Sequence, residues 1–148
     1  MNPARRFIEY AADFEKTYAD DDWSRLEPYF AEEAVYVVTG SPAFACRLEG
    51  RDAILRGLRK SVDGFDRHCE RRVEVLGEPE VGENRVVLHW AVTYSRPDAP
   101  ELRLPGRSTA EYAGEKIEKL CDDFGPLDEA EVTGWIRDYG DGLDPSYA

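Results

Sequence analysis

The chain has 148 residues and a formal net charge of −12, which leaves room for one hydrophobic core and little else. Its basic residues are scattered or interleaved with acids, excluding the basic face of a nucleic-acid binder, and no apolar run approaches the ~20 residues that span a bilayer. The opening MNPARRFIEYAADFEK lacks the apolar segment of a secretory signal, and Cys46, Cys69 and Cys121 have no CxxC spacing, so free thiols in a cytoplasmic protein are expected.

Asn2 followed by Pro3 is a helix-start signal, because proline at the first helical position loses no hydrogen bond. Phe7, Ala11, Phe14 and Tyr18 then recur at helical spacing and form one stripe. Asp22 is placed to cap a short second helix in which Leu26, Tyr29 and Phe30 share a face. Ala34–Val38 reads as a strand, and Ala43–Leu48 as a possible short one. GRDAILRGLRKSV predicts a third helix with Ile54, Leu55, Leu58 and Val62 inward. From His68 onward the period changes to two. Arg67–Leu76, Arg85–Tyr94, Leu102–Tyr112 and Lys116–Phe124 read as four long antiparallel strands joined by turn-forming links. Asp128–Tyr139 predicts a last helix, ended by Gly140. The fold class is α+β: a cone-shaped, curved antiparallel sheet wrapped around three N-terminal helices, with a C-terminal helix. Residues 1–126 make the cone and 127–148 a helix and tail packed on the same domain.

The run YADDDWSRLEPYFAEEAVY, with two helices, an acidic turn and a strand, resembles the opening of the nuclear-transport-factor-2-like superfamily. LEGRDAI, RHCERRVEVLGEPEVGENRVVLHW and GEKIEKLCDDF follow in matching order and spacing. The resemblance is to the SnoaL-like, polyketide-cyclase- and dehydratase-like branch. It implies a cone with one pocket whose lining decides the function, and a sheet whose outer face often meets a second subunit.

The resemblance also nominates residues. The position of Asp122 usually looks into the pocket, and polyketide-cyclase-like members carry an aspartate there as general acid/base. Burial against apolar walls raises an aspartate's pKa and suits it to proton transfer; the other reading is an aspartate at the cone's mouth, solvated or paired with an arginine. His68 matches a histidine that several relatives project into the cone; otherwise it makes one structural hydrogen bond at a helix–strand junction. Tyr18 matches a scytalone-dehydratase tyrosine able to polarise a carbonyl, or is a core tyrosine with its hydroxyl at the rim. Strand alternation adds a wall of Trp90, Ser108 and Leu120, with Phe14 and Tyr36 completing the substrate-binding set. Leu88, Trp90, Val92 and Tyr94 share the inner face, and His89 points outward with Val87, Ala91 and Thr93.

The departures exclude some activities. A ketosteroid isomerase needs a tyrosine, a base and a protonated acid where this chain has Phe14, Val38 and Ser108. No strand carries the Arg-x-Asp of a limonene-epoxide-hydrolase-like site. With two histidines and no HxxxH, HExxH or EF-hand pattern, neither metal nor cofactor is expected. The leading expectation is cofactor-independent acid/base chemistry, a dehydration, isomerisation or ring closure, on a small, largely apolar polyketide- or steroid-like molecule. Asp122, His68 and Tyr18 would act on it. The alternative is a non-catalytic small-molecule-binding or protein-assembly module. Val73, Val75, Val87 and Ala91 are expected on the outer face and point to a homodimer through it.

Overall fold

The side-chain oxygen of Asn2 accepts from the backbone N–H groups of Ala4 (3.0 Å) and Arg5 (3.2 Å) and opens α1 (Pro3–Asp20) in the computed structural model, which describes residues 1–125 and 129–148. Pro3, Phe7, Tyr10 and Thr17 are its buried positions. Asp21 ends it in the left-handed region at φ 63°. The segment Trp23–Tyr29 is a 3₁₀ turn rather than an α-helix, with Pro28 inside it. The expected cap is not made: Asp22 accepts from the Ser24 hydroxyl instead. Its neighbours do not simply face water, since Asp20 pairs with Arg25 and Asp21 with Arg59 and Arg67.

The chain continues through β1 (Phe30–Thr39), β2 (Cys46–Glu49), α2 (Arg51–Gly64) and a second 3₁₀ turn at Asp66–His68. Then come β3 (Glu70–Val75), β4 (Glu80–Val81), β5 (Arg85–Ser95), β6 (Leu102–Ala113) and β7 (Lys116–Asp123), followed by α3 (Glu129–Tyr139). The expected start of α3 at Asp128 lies outside the described residues. No helix among the described residues is long and apolar enough to cross a membrane.

The sheet runs β2-β1-β7-β6-β5-β3, with β4 on β5. It is antiparallel except for the β1–β7 pair, which is parallel, with Val38 opposite Asp122. Register shifts between Phe30 and Val35 and between Glu111 and Tyr112 supply the bulges a curved sheet needs. The core fills the concave side, from Leu26 and Phe30 to Ile54, Ile117 and Leu120. Val132 and Trp135 of α3 join it, and the Trp135 indole donates to the Pro100 carbonyl at 2.7 Å.

The strand expected to begin near Arg67 begins at Glu70, and its parity is the reverse of the expected one. Val73 pairs with Val92 and Val75 with Trp90, so both valines share the inner face with these residues. They line the cavity and do not belong to the outer face. The outer face instead carries ion pairs: Arg103 with Glu74 at 3.1 Å, His89 with Glu80 at 2.9 Å and Arg107 with Asp123 at 3.2 Å.

Past α3, the 144–147 segment lies along α2. The Asp144 N–H donates to the Gly64 carbonyl at 2.9 Å, and Lys60 pairs with the Asp144 carboxylate at 2.9 Å. A Cβ on Gly64 would come within 2.8 Å of the Asp144 carbonyl, so the close approach requires glycine. At the other side of the cone, Gly106 lies opposite Trp90 on β5. A Cβ there would meet the indole at 2.6 Å and the Asp123 carbonyl at 3.0 Å. Gly106→Ala should therefore push Trp90 off its seat and cost about 1–3 kcal/mol, as overpacking does; urea unfolding followed by tryptophan fluorescence measures both effects.

Candidate functional site

The concave face encloses a cavity of ≈ 230 Å³. Phe7 and Phe14 of α1 form one wall, and Leu88, Trp90 and Val92 of β5 the other. Phe124, beyond β7, packs edge-on against Trp90. Tyr147 of the 144–147 segment reaches in beside Tyr36, ring centroids 5.9 Å apart. Val73 and Val75 remain 44% and 61% exposed while lining the cavity, so it opens past them.

Asp122 of β7 is the polar centre of this apolar space. The residue is half-buried, and its carboxyl group is enclosed within the cone. The Tyr36 hydroxyl donates to Oδ2 at 2.6 Å and the Ser108 hydroxyl to Oδ1 at 2.5 Å. The Trp90 indole donates to Ser108 Oγ at 2.9 Å. Indole N–H is a donor only, so the serine must accept from it and spend its single hydrogen on Asp122. Burial raises the Asp122 pKa, and the hydrogen bonds from Ser108 and Tyr36 pull against it without cancelling it. Tyr36 is pushed well above the ordinary phenol range, first by burial and then by the Asp122 charge.

A second carboxylate faces the same cavity. Asp66, in the 3₁₀ turn after α2, accepts from the Tyr94 hydroxyl at 3.1 Å and from Arg71 Nε at 3.1 Å. Burial lifts it to about 6 despite the opposing charge of Arg71 and the Tyr94 hydrogen bond. The two terminal nitrogens of Arg71 are held by Glu15 at 2.9 and 3.0 Å.

The structure brings together Asp122, Phe14, Tyr36, Trp90 and Ser108, all of which line the cavity. Leu120 does not line it; two residues before Asp122 on the same face, it is enclosed in the core at 2% exposure. Tyr18 is half-buried outside the cavity. Its hydroxyl donates to the Asp66 backbone carbonyl at 3.2 Å, and its ring lies under the guanidinium groups of Arg71 and Arg67. It props the turn and does not line the cavity. His68 is exposed and does not line the cavity. The 3₁₀ turn turns Asp66 inward, and the next positions of a three-residue turn point away from it. Sequence reasoning missed Asp66, Arg71 and Tyr147. Only the helix-to-strand junction itself marks the first two, and nothing in a tail reading DPSY marks the last.

The sequence matches the SnoaL-like domain family over residues 10–120. Among curated proteins, none matches it. Similar solved structures include Bal32a from a soil-derived mobile gene cassette, with 17% identity, a TM-score of 0.67, and 90% of this chain and 98% of that one covered. TerC co-crystallised with polyporic acid is similar at 14% identity and a TM-score of 0.64, covering 89% of this chain and 98% of that one. A protein from Catenulispora acidiphila with a ketosteroid isomerase-like fold, in complex with trimethylamine, has 19% identity and a TM-score of 0.55, covering 77% and 83%. These likenesses concern the fold.

The raised Asp122 pKa carries a stability consequence. A carboxyl whose folded pKa lies above its unfolded value stabilises the fold where it is protonated, and that contribution is lost as pH rises through the folded pKa. Asp122→Asn removes the titration. The variant's melting temperature relative to the wild type should therefore be higher at pH 8 than at pH 4, as thermal unfolding across pH would record.

Proposed function

The chain belongs to the SnoaL-like domain family, and on that premise we propose that it is a cofactor-independent acid/base enzyme acting on a small, largely apolar carbonyl compound. One observation carries this reading. Among the described residues, the enclosed Asp122 carboxyl has hydroxyl groups as its hydrogen-bond partners, in a cavity with aromatic and aliphatic walls. A carboxylate stabilised by a cation would be a poor base. One held by two hydroxyls, with its pKa raised by burial, is a stronger base than an ordinary carboxylate and can take and return a proton.

Dehydration of a hydroxyketone, isomerisation of an enone and aldol ring closure share a first step, removal of a proton α to a carbonyl. Asp122 takes that proton. Once protonated, it no longer needs both hydroxyl donors, and the Tyr36 or Ser108 hydrogen turns to the oxygen on which charge has developed. The cavity volume of ≈ 230 Å³ lies below the ~300–1,000 Å³ of pockets for drug-sized ligands. A one- or two-ring molecule suits it better than a four-ring steroid. The three cysteines are free, in keeping with a cytoplasmic setting.

The test uses 2-tetralone in D₂O. Wild-type protein should accelerate exchange of the α-hydrogens, followed by proton NMR. Asp122→Asn should slow that exchange by about 10²–10⁴-fold, the usual worth of a general base, with little change in ketone binding. Unchanged exchange in the variant would remove Asp122 from the chemistry. Binding of the ketone without any wild-type exchange would put the non-catalytic binding module in its place.

A further inference from the structure

The cavity has a polar group that the proposed proton transfer does not use. Asp66, in the turn after α2, and Asp122, on β7, line the same space from different elements, and neither is among the influences on the other's pKa. Tyr147 feels the charge of both and lines the cavity with the apolar side chains of Phe14, Leu88, Trp90 and Val92.

Asp66 is not saturated by its protein partners. An ionised carboxylate offers about four lone-pair sites, and the structure fills one on each oxygen: Tyr94 on Oδ1 and Arg71 on Oδ2. Arg71 is itself neutralised twice, by Glu15 and by Asp66. The cluster of one cation and two carboxylates is therefore unsuited to an anion, and its spare capacity is for a hydrogen-bond donor.

We propose that Asp66 is a second ligand-binding residue of the cavity and accepts a hydrogen bond from a hydroxyl at the far end of the ligand. The ligand is then a hydroxylated ketone with its oxygen functions at opposite ends of an apolar body. The inference rests on the carbonyl end lying at Asp122, but it is read by binding and needs no turnover. The groups facing Asp66 are Arg71 from β3, Tyr94 from β5, Glu15 and Tyr18 from α1, Cys69 just before β3, and Tyr147 from the 144–147 segment. Of these, Tyr94 and Tyr147 are pushed above the ordinary phenol range by burial and keep their protons.

The experiment compares the binding of 2-tetralone, 6-hydroxy-2-tetralone and 6-carboxy-2-tetralone by quenching of tryptophan fluorescence. At pH 8 the wild type should prefer the hydroxyl compound over the parent by at least about tenfold, the worth of a hydrogen bond to a charged acceptor, and should bind the carboxylate worst. Because Asp66 takes up its proton near pH 6, the hydroxyl preference should shrink below that pH while the parent's affinity holds. This arm needs no variant. Asp66→Asn should abolish most of the preference and leave the parent's affinity within about twofold, whereas Tyr94→Phe, which keeps the carboxylate and Arg71, should retain it. Absence of a hydroxyl preference, a preference independent of pH, or its survival in Asp66→Asn would overturn the proposal. So would tightest binding of the carboxylate, which would make Arg71 the reader. Absence of α-hydrogen exchange, by contrast, would fail only the acid/base reading.

Discussion

The clamp on Asp66 determines what the cavity contains. Two donors from different strands, Tyr94 of β5 and Arg71 of β3, hold the carboxylate from either side, and Tyr18 of α1 fixes its backbone carbonyl. The turn after α2 cannot straighten into a strand while these contacts persist. The strand therefore starts late, and its odd-numbered residues face inward. Because side chains alternate with a period of two, moving the start by one position exchanges every residue between the faces. Arg71, Val73 and Val75 enter the cone together for that reason, and His68 is left outside.

The two ends of the cavity solve the problem of an enclosed carboxylate differently. At Asp66 an arginine shares the enclosure, and the ion-pair network extends to Glu15 at the surface. At Asp122, among the described residues, the hydrogen-bond partners are hydroxyls, and Trp90 orients one of them through Ser108. Stripping water from a carboxylate without giving it a counterion is unfavourable, and the group responds by binding a proton more readily. The Asp122 end thus holds a carboxyl whose pKa burial raises, at some expense of stability, and the Asp66 end holds elements together around a carboxylate that lines the same cavity.

The architecture was largely legible in the sequence because its signals are redundant. The stripe on α1, the Asn-Pro start, the spacing of α2 and the long alternating runs of β5, β6 and β7 each have many residues voting for one period. The inner face of β5, with Trp90 among it, followed from alternation, which also put Leu120 and Asp122 on one face of β7; that this face looks inward came from the family resemblance. The junction at residues 65–69 was not legible. It is short, its residues suit a strand or a turn, and what decides between them is the shared hold of Arg71, Tyr94 and Tyr18 on Asp66, which exists only once the sheet and α1 have packed. The same holds for the parallel pairing of β1 with β7, which joins distant parts of the chain. The contribution of Tyr147 to the cavity was invisible for a simpler reason. A lone tyrosine in a segment without periodicity carries no address.

That tyrosine ties the cavity's shape to how its own strip of backbone is held. The strip rests on α2 through the Asp144 backbone hydrogen bond, through Lys60, which reaches both Asp144 and Ser146, through a hydrogen bond between Tyr147 and Ser61, and through close approaches at Gly57 and Gly64. For any molecule that enters the cavity, occupancy and docking of the strip would be linked equilibria: one that fits with the ring in place would tighten the strip, and one that needs its room would first have to displace these contacts.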